Sequence, residues 1–275
     1  MAVSRRTLAK GAAWAAPAVV ATTTIPAYAA SPDVCSNTNT EASTGITWTN
    51  FVRATPVAAN GSDRHTGSVM TNDGKARLTI THVSSSGPTL SNSQNLITKY
   101  PTNDGVSFPS YSGFSDYLFF QTLQSGQNGY SGGNQQTTIT MRFSEPVTNF
   151  TFDIGDVDQG TTGSGGPWQD VFTVKSSLNG VATSAPLVTG GATISTSGDT
   201  TTFTALSTSN NLSYNSTAGN VTLSFPEPLD TITLTWGNGS NRTGAQNFVI
   251  GGPTTLNVCP RPVAAGITPP ITGSN

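Results

Sequence analysis

Short runs of alternating apolar and polar residues, broken by Gly, Pro, Asn and Ser, limit most tightly what this chain can fold into. In Arg77-Leu78-Thr79-Ile80-Thr81-His82-Val83 the residues Leu78, Ile80 and His82 share one face. Successive side chains of a strand point to opposite sides of a sheet, so such alternation reads as a half-buried strand. Comparable runs lie at 46–52, 95–100, 117–122, 137–143, 147–154, 170–175, 201–206, 221–225, 229–236 and 247–250. After residue 30, no window of ten or more residues has the 3.6-residue period of an amphipathic helix. Many strands at short intervals with turn residues between them predict an all-β fold, a β-sandwich or jelly roll of antiparallel strands with long loops.

Composition narrows the function classes. Only 9% of residues are charged, whereas Thr (45) and Ser (31) make up more than a quarter of the 275-residue chain. The chain lacks the Ala, Glu, Lys and Leu content of a helical bundle, and it is not basic enough for electrostatic capture of nucleic acid. Its aromatic and β-branched content is too high for a wholly disordered polymer.

The first 29 residues read as an export signal. Ser4-Arg5-Arg6-Thr7-Leu8-Ala9-Lys10 forms a twin-arginine n-region, a short weakly apolar stretch follows, and Ala27-Tyr28-Ala29 forms an A-x-A cleavage site. The stretch is too short, and too interrupted by Pro17 and Thr22-Thr23-Thr24, to span a bilayer. Removing the signal leaves nine basic against fourteen acidic residues, a formal net charge of −5, which argues against anionic partners. The signal resembles those of high-GC Gram-positive bacteria. No nucleic-acid partner and no membrane insertion are expected, and the protein is expected outside the cell or in its envelope.

Cys35 and Cys259 are the only cysteines. In an oxidising compartment the economical reading is one disulfide closing a single domain over 30–259, with a Pro-rich extended tail over 260–275. A metal or redox role is less apt, because no CxxC and no nearby His accompanies either residue.

One internal repeat is present. The segment 139–154 aligns without gaps on 221–236, 82 residues later. Each copy is a strand, a Glu-Pro corner (Glu145-Pro146, Glu227-Pro228) and a second strand. Apolar parity changes across the corner, which suggests a bulge or an arch between sheets, and Pro fits there because it has no N–H to donate. The copies are read as equivalent strand pairs of one sandwich, with two smaller sandwiches as the alternative.

The densest acidic cluster is Asp153-Ile154-Gly155-Asp156-Val157-Asp158, with Asp170 opening a later strand. Hard cations take carboxylate and carbonyl oxygens, so these four aspartates form a candidate structural Ca²⁺ site; a solvated Asp-rich turn is the plainer reading. The run 143–158, followed by Gln169-Asp170-Val171-Phe172-Thr173-Val174, resembles β-sandwich modules of secreted and surface proteins of bacteria, of the carbohydrate-binding and adhesin jelly-roll kind. That resemblance covers 46–251, and its specific part lies in 143–174. It implies a non-catalytic binding or structural module whose partner is a carbohydrate, a cell-wall component or another surface protein. The downstream repeats and covalent anchor usual in such proteins are not found in this sequence.

Enzymatic motifs are weak. Gly129-Tyr130-Ser131-Gly132-Gly133 matches G-x-S-x-G but lies in a Gly/Ser-rich stretch rather than a strand-to-helix turn. His82 reads as a hydrogen-bonded core histidine and His65 as a loop residue. Glu145 and Glu227 could be imagined as the carboxylate pair of a polysaccharide hydrolase, the alternative function, but they read better as corner features. Trp48 and Trp236 read as core. Trp168, Tyr111 and Tyr130 fall in loop-rich sequence and are the candidate sugar-stacking residues.

Overall fold

A computed structural model describes residues 35, 42–54, 57–59, 62–84, 97–98, 111–122, 136–160, 168–206, 212, 216–238 and 246–259. Residues 1–29, Tyr130, the 129–133 motif and the 260–275 segment lie outside the described residues. In chain order the strands are β1 (Val52–Arg53), β2 (Val57–Ala59), β3 (Ser62–Met70), β4 (Arg77–Ser84), β5 (Ile97–Thr98), β6 (Tyr117–Thr122), β7 (Gln136–Gly155) and β8 (Gln159–Gly160). They continue with β9 (Trp168–Leu178), β10 (Val181–Ala182), β11 (Leu187–Gly190), β12 (Ala192–Ser197), β13 (Thr200–Ala205), β14 (Val221–Phe225), β15 (Leu229–Asn238) and β16 (Gln246–Val258). Among the described residues there is no α-helix, and every ladder is antiparallel. The protein is all-β, as the alternation predicts.

Two local expectations are corrected. Most of 46–52 is not a strand: Ile46 makes one isolated bridge to Thr71, Trp48–Asn50 forms a 3-10 turn, and Val52 pairs with β3 at the start of a two-residue strand. Side-chain anchors prevail over propensity here, because the Trp48 N–H donates to Asp116 and its indole N–H donates to Thr254 at 3.1 Å. His65 is not a loop residue. It lies in β3, directly opposite His82 of β4, and is buried.

β7 organises the fold. Its first half, through Phe143, lies between β4 and β15, with Phe143 opposite Leu78 and Ile139 opposite Leu234. From Val147 β16 takes the place of β4, and from Phe150 β14 takes the place of β15, with Phe152 opposite Leu223 and Ile154 opposite Ile250. The change of partners falls at Ser144-Glu145-Pro146, the corner read from the sequence. In the second copy the same corner separates β14 from β15, and the register shifts between Leu229 and Thr231. The two copies are therefore neighbours: the second strand of each pairs with the first strand of the other.

The network has two branches that meet in β7. One runs β1-β3-β4-β7-β15-β9-β13-β12; the other runs β11-β14-β7-β16-β6-β5. Their apolar faces touch. Phe248 of the second branch contacts Trp236 and Phe172 of the first, with ring centroids 4.6 and 5.1 Å apart, and Phe120 lies 6.0 Å from His82. These contacts are consistent with the facing layers of a β-sandwich. Leu78, Ile80, Ile139, Met141, Phe150, Phe152, Val221, Leu223, Ile232 and Leu234 fill the space around them and are fully buried. Each such side chain contributes about 1.5–3 kcal/mol relative to exposure.

The two ends of the strands differ. Ser84 pairs with Thr137, Thr122 with Gln246, Gln136 with Gly237, and Asp170 with Asn238. Strands β4, β6 and β15 thus finish where β7, β9 and β16 begin, and this is the loop end. At the other end lie the Glu-Pro corners, where the Cys259 N–H donates to the Pro146 carbonyl at 2.8 Å and Cys259 is bonded to Cys35. The expected disulfide is present.

Candidate functional site at the loop end

Alternation decides where each aspartate goes. Asp153 shares the outward face of β7 with Thr151 and Gly155, while Phe150, Phe152 and Ile154 point into the core. Its carboxylate accepts a hydrogen bond from the Thr222 hydroxyl at 2.6 Å. Gly252, at φ +77°, lies against it, and a Cβ there would stand 2.6 Å from Asp153 Oδ2. Asp170 instead shares the inward face of β9 with Phe172 and Val174 and is buried. Its carboxylate accepts from Trp236 Nε1–H at 2.9 Å and from the Asp158 N–H at 3.0 Å. The Asp170 N–H in turn donates to the Asp158 carbonyl at 3.0 Å. The core tryptophan and this one carboxyl thereby tie the segment that leaves β7 to the start of β9.

Asp156 occupies the bend between them, in the left-handed region at φ +70°. It is half-buried, and its Oδ2 accepts from the Asn247 side-chain amide at 2.7 Å. The same amide nitrogen donates to the Tyr111 hydroxyl at 2.6 Å. Burial first, and then the Asp158 charge, push the Asp156 carboxyl up to about 8, against the lowering effect of the Asn247 bond. Burial also raises Asp170 well above the usual carboxylate range, with the charges of Asp158 and Asp156 adding to it, while the Asp158 N–H and the Trp236 indole oppose it.

Calcium takes about six to eight oxygens at short range. The expected set is divided instead of gathered: Asp153 is on the outer face with Thr222, and Asp170 is inside, engaged by two N–H donors. Asp156, Asp158 and Asp170 act on one another electrostatically. Among the described residues, no group of three or more His, Cys, Asp or Glu side chains is arranged to hold a metal ion.

The candidate stacking residues also have definite places. Tyr111 is buried in a second apolar cluster with Phe114, Tyr117, Phe119 and Val249, its ring edge-on to Tyr117 at 5.3 Å. This cluster covers the outer face of β6 and β16, since Leu118, Phe120, Phe248 and Ile250 of those strands belong to the main core. Gly155 makes room for it, because a Cβ there would meet the Phe114 ring at 2.4 Å. Burial and then the charge of Asp156 raise the Tyr111 hydroxyl above the ordinary phenol range. Trp168 pairs through its backbone with Gly160, and its side chain lies outside the described residues.

His82 is buried in the core, and both ring nitrogens lack a hydrogen-bond partner among the described residues. The sequence reading was right about burial, but the expected hydrogen bond is not found there. Glu227 accepts from both the N–H and the hydroxyl of Ser184, at 3.2 and 2.8 Å, as a corner feature does. Asn247 and Thr222, which hold Asp156 and Asp153, carry no distinguishing signal in the sequence. Both look like ordinary polar residues of a strand.

Among the described residues, no helix is long and apolar enough to cross a membrane. No protein-family model, curated protein or solved structure matches the chain.

Proposed function

We propose that this chain is an exported, non-catalytic β-sandwich module that acts at the cell surface or outside the cell as an adhesive or structural element, with carbohydrate as the ligand class at its loop end. The observation that carries this reading is the convergence there of three strand ends and three strand starts around the Asp156–Asn247–Tyr111 hydrogen-bonded network. Rigid strands presenting connecting segments at one end are the usual way a β scaffold displays a binding surface. Amide and carboxyl groups held in fixed geometry suit hydroxyl-rich ligands. The twin-arginine segment and the Cys35–Cys259 bond support an oxidising destination. The low charge and acidic balance favour neutral glycans over anionic ones.

A glycan array probed with the full chain tests this reading. The expected result is retention of one or more neutral glycans that falls at least tenfold in Asn247→Ala. If no glycan is retained, the carbohydrate reading fails and the structural one is left. Sequencing the N-terminus of secreted material tests export, with a start immediately after Ala29 expected.

A further inference from the structure

The edges of the hydrogen-bonded network are not alike. An edge strand carries unpaired N–H and C=O groups, and natural proteins shorten, twist or charge such strands to stop them from pairing. Strands β1, β2 and β5 comply, with two or three residues each. Strand β11 complies too: it has four residues, follows Pro186 and ends on Gly190 at φ +119°.

Strand β12 does not comply. It runs for six residues in unbroken register with β13, from Ala192 opposite Ala205 to Ser197 opposite Thr200, and has no strand on its other side among the described residues. Residues 193–197 are all exposed, and the strand contains neither Pro nor a charge. Across 176–226 the sole charged residue is Asp199. Ile194 lies opposite the buried Phe203, on the inward face, yet is 40% exposed; Leu187 of β11 is 63% exposed.

We infer that β12 pairs with β12 of a second copy of this chain, antiparallel, about a twofold axis through Ile194. A twofold perpendicular to a sheet keeps each strand's inward face inward only when residues of equal parity meet, so the axis passes through a residue and not between two. Centring it on Ile194 sets that side chain against its own counterpart and covers the apolar surface now in water. Thr193 then meets Ser195 of the other copy, a favourable hydroxyl pair on the outer face. The register itself favours a second copy as the occupant, because an identical strand sets Ile194 against Ile194 and Thr193 against Ser195 about one twofold. Two copies carry the same net negative charge and repel wherever it is displayed, but along this edge no like charges meet. The interface is isologous and closes at two chains. It goes beyond the proposed function and does not depend on what the loop end binds.

Sedimentation velocity of the full chain, over concentrations from micromolar to near millimolar, tests the pairing. The expected result is a mass rising from 28.3 kDa toward twice that value. Ile194→Lys, which sets two ammonium groups face to face, and Ser195→Lys each raise the dissociation constant at least tenfold. Val52→Lys, on the opposite edge, leaves it unchanged. Far-UV circular dichroism confirms that each variant remains folded. A chain that stays monomeric throughout, or that dimerises as tightly in both β12 variants as in the wild type, overturns the inference.

Discussion

Acidification should destabilise this protein through His82. Its imidazole is 1% exposed, its ring nitrogens have no hydrogen-bond partner among the described residues, and its neighbours on three strands are His65, Ile139 and Phe120. Burial, and secondarily the charge of His65, push it from 6.5 down to about 3. The folded-state value lies below the unfolded one, so between those values the unfolded chain holds a proton that the folded chain does not. Stability is therefore whole above pH 6.5 and is lost progressively as pH falls. At about 1.4 kcal/mol per unit, moving from pH 6.5 to 4.5 removes about 2–3 kcal/mol, or roughly 5–10 °C of melting temperature for a domain of this size. Asp156, raised from 3.8 to about 8, works in the opposite sense: its contribution is present below 3.8 and lost as pH rises through 8, so acid favours the fold there. Comparison with His82→Leu separates the two effects. Urea unfolding of both proteins between pH 7.5 and 4.5 should show the wild type losing about 2–3 kcal/mol more than the variant. Parallel pH profiles would show that His82 does not carry the acid sensitivity.

Three further outcomes follow from geometry already described. Asp170→Asn replaces one of two acceptor oxygens by a donor, leaving either the Trp236 indole or the Asp158 N–H unpaired in the core; urea denaturation should report a loss of about 1–3 kcal/mol. Cys35 and Cys259 are 224 residues apart, so a double Ser variant loses at most roughly 5 kcal/mol in the chain-entropy model, and an unchanged melting temperature would contradict that account. Gly155→Ala drives a methyl into the Phe114 ring; it should lower stability by about 1–3 kcal/mol and speed hydrogen exchange at residues 111–117, while the β4–β7 ladder keeps its protection.

Strands with a clean period of two were legible in the sequence. β4, β6, β14 and β15 fall at or within two residues of where alternation puts them, and the Glu-Pro corner was readable because Pro cannot donate to a ladder. β3 was not legible. Its inward positions are His65, Gly67 and Val69, and Gly67 is there because the Phe51 ring covers it, with a Cβ meeting that ring at 2.3 Å. A strand whose buried face includes a polar ring and a missing side chain leaves no apolar alternation to read. β12 was missed for the complementary reason, since an exposed edge of Thr and Ser has no buried face to betray it. At the aspartate cluster, the pleat puts Asp153 on the outward face of β7 and Asp170 on the inward face of β9, a placement that spacing in the sequence does not reveal.

The Cys35–Cys259 bond joins points whose Cα atoms are 5.1 Å apart, so everything between them is bypassed by a covalent shortcut. Tension applied through the chain before Cys35 and after Cys259 passes through that sulfur link and does not shear the sheets. Under load the module behaves as an inextensible bead, and it lengthens only once the link is reduced.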